Sequence, residues 1–322
     1  MDVGVYFDLR NPPGWRQDWS RLYGFTLEAI QEAEHLGAGS VWLSEHHMFE
    51  DGYLNQPLTF ASAVAARTSR VRIGTAVIIA PFWNPVQLAE EATVVDLISN
   101  GRLDLGIGAG YRVPEYELFG ADLSRRYGTT DATARRLREI WSDPAHQPQP
   151  VQQRLPIWMG YGGPQGARRA GRLGEGLLSV DRRLHAPYLE GLRDAGHDEA
   201  SARMKGVVFG YASEDPEADW PVVAKHYGYQ TDSYLRYMFE GTDKPAPAPV
   251  DPDRARAKGL RANLGAFGFG TPEEIAAQTR ELISGLPVEA VFFWASFAGM
   301  PEEMVMRHIR TICTRVAPLL ED

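Results

Sequence analysis

Cysteine is nearly absent: Cys313 is the single one in 322 residues. No intrachain disulfide can form, which suits a reducing cytosol. A lone cysteine in an apolar helix is more often a small buried hydrophobe than a reactive thiol. Basic residues are also short, since 33 Lys+Arg against 42 Asp+Glu leave a formal net charge of −9. With no basic stripe, nucleic acid and anionic membrane surfaces are poor partners, and a small or uncharged substrate is the better expectation. No apolar run reaches the ~18 residues that a membrane span needs. The chain opens on a strand-like run, Asp2 to Leu9, with no signal peptide ahead of it, so a cytoplasmic protein is expected. A G-x-S-x-G elbow, a Walker loop and an H-E-x-x-H pair are all missing, which removes the commonest hydrolase, P-loop and zincin signatures.

What is present is a rhythm. Val3–Phe7 reads as a strand, and Leu22, Phe25, Ala29, Ala33 and Leu36 then share one helical face that Gly37 and Gly39 close. Further strands are read at Ser40–Ser44, Val71–Ile79, Leu103–Ile107, Pro156–Gly160, Gly176–Val180, Lys205–Tyr211 and Ala290–Trp294, nearly all separated by segments of helical period. Strand–helix alternation means parallel strands with right-handed crossovers. Eight such units predict one closed (β/α)8 TIM barrel over residues 1–322, an α/β fold. The rival is a Rossmann-like enzyme, because Gly106-Ile107-Gly108-Ala109-Gly110 follows a strand. Its G-x-G-x-G spacing is wrong, and Val113-Pro114-Glu115 stands where a pyrophosphate-binding helix would open.

Residues 213–265 break the rhythm after strand seven. Lys244 to Pro249 is Pro/Ala-rich, and Trp220 to Phe239 carries Tyr227, Tyr229, Tyr234 and Tyr237. An insertion there lies at the carboxyl end of the barrel, where substrates bind. It reads equally as a lid or pocket wall and as a packed appendage or oligomer contact.

Three stretches carry chemistry. Glu45-His46-His47 follows the second strand directly, putting two of the eight histidines beside a carboxylate. An imidazole titrates near ~6.5 and so can give or take protons near neutral pH. Adjacent histidines on extended chain point apart and rarely share an ion, so no metal is expected. Gly74 to Pro81 ends strand three with small residues, which suits a flat ligand lying close to backbone, or simple barrel packing. Trp158 to Gly166, with Gly162, Gly163, Gln165 and Gly166, is a glycine-rich loop opening a helix, and amides there suit a phosphate. Arg168 and Arg169 in its first turn favour an anion, though two arginines on a helix are also a common solvated face.

Together these residues resemble the bacterial luciferase-like, flavin-dependent monooxygenases. The resemblance rests on Val41-Trp42-Leu43-Ser44-Glu45-His46-His47, Gly74-Thr75-Ala76, Asn84-Pro85-Val86, Ser99-Asn100-Gly101-Arg102-Leu103, Glu117-Leu118-Phe119-Gly120 and Gly270-Thr271-Pro272-Glu273-Glu274, in this order and spacing. It covers Val3 to about Asp181 and again Phe269 to Pro318. It implies a barrel binding reduced FMN, or in some relatives a deazaflavin coenzyme, with oxygen added to a small organic substrate through a flavin peroxide. It implies a separate NAD(P)H flavin reductase and a homodimer. His46 falls on the family's catalytic histidine, with Glu45 and His47 as support, and Ala76-Val77 on a non-prolyl cis peptide beneath the flavin ring. Tyr111 and Arg112 are placed to contact flavin or substrate, and Gly108 stands where the luciferase subunit has a reactive cysteine. The phosphate region departs from the family: relatives carry serine or threonine near Gly163 to Gly166, and this chain has none, leaving backbone amides and Arg168. Glu-His-His favours FMN over the deazaflavin. Hydride transfer from a deazaflavin on the same barrel, or a non-catalytic flavin-binding protein, are the alternatives.

Overall fold

The structure, a computed structural model, describes residues 1–262 and 265–321. The expected insertion, 213–265, therefore contains two residues, 263 and 264, outside the described residues. Eight parallel strands form the barrel: β1 (Asp2–Phe7), β2 (Ser40–Leu43), β3 (Arg72–Thr75), β4 (Leu103–Gly108), β5 (Ile157–Met159), β6 (Gly176–Leu178), β7 (Met204–Val208) and β8 (Val288–Trp294). They pair in sequence order, β8 closes onto β1 with Asp2 opposite Ala290, and β3 meets β4 through Ile73 and Leu103. The (β/α)8 barrel expected from the rhythm is the fold.

The helices outside it are α1 (Trp19–His35), α2 (Pro57–Arg67), α3 (Pro85–Ser99), α4 (Val113–Phe119), α5 (Arg126–Ser142), α6 (Gly163–Leu173), α7 (His185–Asp194), α8 (Pro216–Phe239), α9 (Pro252–Ala257), α10 (Pro272–Ile283) and α11 (Glu302–Thr311). Local chemistry sets several boundaries. Asn84 caps α3 by accepting from the Val86 N–H, and Thr271 and Glu274 form a reciprocal capping box at α10.

Three elements differ from the expectation. The run Val71–Ile79 is two strands, Arg72–Thr75 and Ile78–Ile79, separated by a cis Ala76–Val77 peptide. The seventh strand ends at Val208, and Gly210–Ala212 pairs instead with Gly268–Gly270, so the insertion leaves and returns through a small two-stranded sheet. Val113–Phe119, to which the rhythm assigns no element, is a short helix with proline in its first turn.

The amino end of the barrel is plugged. Trp42 stacks on Phe292 at 4.4 Å between ring centroids, and the Lys205 ammonium lies 4.4 Å from the Trp158 ring centroid. Asp104 accepts from Lys205 at 3.0 Å, Arg72 at 2.7 Å and the Trp158 indole at 3.1 Å. These buried charges are paired and hydrogen-bonded, as burial requires. They leave the carboxyl end for function.

Candidate active site

β2 delivers Glu45, His46 and His47 to the carboxyl end, and all three are buried. The three do not act as one cluster. Glu45 faces His47 Nε2 at 3.0 Å and accepts the Trp83 indole N–H at 3.0 Å and the Ile79 amide at 2.6 Å. His46 is instead oriented by Glu115 on α4. Glu115 Oε1 lies 3.0 Å from His46 Nδ1 and accepts the His47 amide at 2.7 Å. With this carboxylate accepting, Nδ1 carries the ring proton. His46 Nε2 is turned to the Tyr111 hydroxyl at 3.4 Å. Around the imidazole stand Phe49, Tyr53, Tyr111 and Tyr234, with ring centroids 4.7, 4.8, 5.4 and 5.9 Å away.

A cavity of about 390 Å³ opens at the same end. Its floor and walls include Ala76, Val77, Gly160, Gly162, Gly163, Ser179, Val180, Phe209, Tyr6, Tyr234 and Trp294. Asp181 is the one charged group among the described lining residues, and Arg183 already engages it at 2.6 Å. Of the residues singled out from sequence, Ala76, Val77, Gly162 and Gly163 line this cavity, and Gln165, Gly166, Arg168, Gly108, Tyr111, Arg112, Glu45, His46 and His47 do not.

Packing explains most of those absences. Arg112 is buried and ties Glu240, at 2.6 Å, to the His47 carbonyl. Arg168 pairs with Glu190 on α7, so it faces the next helix rather than an anion. A Cβ on Gly166 would meet Tyr161 at 2.6 Å. Gly108 and Gly160 make room for Val77, which a Cβ on either would meet at 2.6 or 2.4 Å. His46 is separated from the cavity by its own aromatic box, and Tyr234 belongs to both.

The cavity fits a flat ring with an anionic tail. Ala76 and Val77 offer a low apolar surface, and the start of α6 has no side-chain cap. Gly163 there has φ +76° and open space where a Cβ would stand, a backbone that favours glycine. Free amides and the helix dipole at this end attract a phosphate. Among the described residues, no three His, Cys, Asp or Glu side chains stand together as metal ligands.

Sequence reasoning missed Glu115, Tyr6 and Tyr53, and named Tyr234 only as one tyrosine of an insertion read equally as pocket wall and as packed appendage. Glu115 had a signal, an acidic residue just after Val113-Pro114 at a helix start. Tyr6 and Tyr53 had none, because only the closed barrel and α8 bring them together with Tyr234. Burial raises the pKa of Tyr6, Tyr53, Tyr111 and Tyr234 above the usual phenol value, so all four remain hydrogen-bond donors. α8 is held by buried bonds: Gln230 donates to Asp8 at 2.9 Å and accepts the Ala298 amide at 2.6 Å, and the Tyr237 hydroxyl accepts from the Glu50 amide at 2.8 Å.

Residues 1–288 match the family described as luciferase-like monooxygenase. An F420-dependent glucose-6-phosphate dehydrogenase of Amycolatopsis mediterranei is 31% identical over 202 residues, covering 56% of this chain and 60% of that protein. The oxygenase component of a flavin-dependent trigonelline monooxygenase of Acinetobacter baylyi is 35% identical over 167 residues, 45% of this chain and 44% of that protein. The chain thus spans roughly half the length of these relatives. In structure it superimposes on the monooxygenase RslO1 of Streptomyces bottropensis with a TM-score of 0.78 at 22% identity, covering 99% of both chains, which is a likeness of fold.

Proposed function

This chain belongs to the luciferase-like monooxygenase family, and from that premise we propose that it is a monooxygenase using reduced FMN and O2 to oxygenate a small, uncharged organic molecule. The observation that carries this reading is the cavity itself, with an apolar floor at Ala76-Val77 and an uncapped helix start at Gly162-Gly163. The flavin supplies the electrons that activate oxygen. The protein supplies the rest. The amides of Gly162 and Gly163 hold the phosphate, and Ala76 and Val77 support the ring. His46, with Nδ1 fixed by Glu115, acts as general acid/base from behind Tyr234, which belongs both to its aromatic box and to the cavity wall, a role typically worth ~10²–10⁴-fold. Glu45 and His47 brace the strand end beside it. Tyr111 holds His46 Nε2, and Arg112 locks the His47 backbone. α8 forms a pocket wall.

The likeness to an oxygenase component supports a separate NAD(P)H flavin reductase as partner. A homodimer is supported by α3, whose outer face exposes Val94, Leu97 and Ile98. A two-fold interface uses the same patch on both copies, so this apolar stripe would meet its own equivalent. Burial pushes the Cys313 thiol up to about 12, an inert thiol suited to a reducing cytoplasm.

A second reading, deazaflavin-dependent hydride transfer, is favoured by the match to the F420-dependent dehydrogenase. Oxygen uptake separates the two. Purified chain plus a flavin reductase, NADH and FMN should consume O2 in proportion to an added organic substrate, and His46→Ala should abolish the coupling. No substrate-dependent uptake across a broad panel of neutral organic compounds contradicts the oxygenase reading.

A further inference from the structure

The end of α8 reaches the histidine pair by two routes. The first is aromatic. Tyr237 stacks on Phe49 with ring centroids 3.9 Å apart, and Phe49 stacks in turn on His46 at 4.7 Å. The second is ionic. Glu240, the C-cap of α8, accepts from Arg112 Nε at 2.8 Å and from its Nη2 at 2.6 Å. The same guanidinium donates to the carbonyls of His47 and Met48, the latter at 3.4 Å.

Arg112 is buried, and Glu240 is its one ion-pair partner among the described residues. A buried cation stripped of its carboxylate is strongly unfavourable and must turn to water, which takes its N–H groups away from both carbonyls. Met48 has φ +57°, a left-handed backbone that a residue with a Cβ keeps only where its surroundings enforce it. Arg112 supplies that enforcement. It is also the N-cap residue of α4, the helix that carries Glu115. The turn after α8 packs on the same helix start, since a Cβ on Gly241 would meet Val113 at 2.8 Å. The His47 backbone and the helix that brings Glu115 to His46 therefore depend on one guanidinium, and the guanidinium on a carboxylate of the insertion.

We propose that Glu240 is a positioning residue for His46: acting through Arg112, it makes the orientation of the histidine pair conditional on docking of the end of α8. Glu240 is the member of this clamp that water reaches, with its side chain 43% exposed against 3% for Arg112. Lifting the helix end breaks the ion pair and frees residues 46–48 without disturbing a barrel strand. The catalytic weight of His46 rests on the acid/base reading above, but the clamp itself does not.

NMR of protein labelled with ¹⁵N-histidine provides the test at about pH 8, where an imidazole is ordinarily neutral. The His46 and His47 signals are those lost in His46→Gln and His47→Gln. Wild-type protein should show one His46 tautomer, with the proton on Nδ1, and slow exchange of the His47 amide. Glu240→Ala should show mixed tautomers and exchange of that amide about tenfold faster or more, the range for one hydrogen bond to a charged group. Arg236→Gln, which removes an exposed pair with Glu50 at the same helix end, should match the wild type, whereas a merely structural loosening of α8 would alter both variants alike. A wild-type His46 spectrum and exchange rate in folded Glu240→Ala, or equal changes in Arg236→Gln, overturns the proposal. If Glu240→Ala does not fold, Glu240→Gln, which keeps an acceptor without the charge, takes its place with the same reading. Oxygen uptake measured separately keeps the two readings apart: mixed tautomers in Glu240→Ala with no substrate-dependent uptake by the wild type sink the oxygenase reading and leave the clamp standing.

Discussion

Glu115 Oε1 lies 3.0 Å from His46 Nδ1 and accepts the His47 amide at 2.7 Å, while its Oε2 is buried without a partner among the described residues. One carboxylate oxygen therefore fixes both the ring and the backbone of the histidine pair. Glu115→Gln keeps an acceptor for the amide but no longer favours one imidazole tautomer. Substrate-dependent oxygen uptake should fall about tenfold or more, with affinity for reduced FMN changed less than about threefold. Equal loss in turnover and flavin binding would mean that Glu115 only supports the fold.

The Val77 side chain fills the space left by two glycines. Gly160→Ala places a Cβ 2.4 Å from Val77 Cγ1, and a β-branched side chain has little freedom to turn away. Overpacking of this kind costs ~1–3 kcal/mol, and here it pushes Val77 toward the cavity floor. Melting temperature and FMN affinity should both drop. Unchanged FMN affinity in the folded variant would remove Ala76-Val77 from the flavin site.

Asp8, Asp51 and Arg10 share one buried positive charge between two carboxylates. Arg10 Nε donates to Asp51 at 2.8 Å, and burial pushes the Asp8 carboxyl up to about 7 against the partial opposition of Arg10. A raised carboxyl favours folding below the unfolded value of 3.8, and this contribution is lost as pH rises from about 4 to about 7. The loss is on the order of a few kcal/mol. Melting temperature should therefore decline across that window in the wild type and much less in Asp8→Asn. Identical pH profiles would contradict this assignment.

The exposed stripe Val94, Leu97 and Ile98 on α3 should close against a second copy of the chain. Leu97→Glu would bury a like charge at the two-fold contact. Sedimentation should show twice the 35.8 kDa chain mass for the wild type and the single-chain mass for the variant. A monomeric wild type would refute the dimer.

Much of the barrel is legible in the amino-acid sequence. Ser40–Ser44 and Leu103–Ile107 announce strands because burial on both faces leaves mostly apolar residues, with Asp104 as the paired exception, and Thr271 and Glu274 announce a helix start because capping is local chemistry. The site is legible in part. Ala76, Val77, Gly162 and Gly163 reach the cavity as their positions on strand ends suggest. The partner of His46 is not legible, since Glu115 lies 69 positions away and only barrel closure brings α4 over the end of β2. Arg168 misleads for a related reason: its nearness to a glycine-rich helix start is local information, whereas α6 begins at Gly163, which puts Arg168 past the first turn, and its pairing with Glu190 is tertiary. The contact of Tyr53 with Tyr234 depends on where α8 packs, which the pattern of residues 213–265 leaves open between a pocket wall and a packed appendage.

An anaerobic titration of the purified chain with reduced FMN and, in parallel, with the reduced deazaflavin coenzyme bears most directly on function. The expected result is saturable binding of reduced FMN, much weaker binding of the deazaflavin, and rapid oxygen consumption when air is admitted to the FMN complex with substrate. Tight binding of the deazaflavin alone, with no oxygen uptake, would contradict the monooxygenase assignment and make the chain a hydride-transfer enzyme on the same barrel.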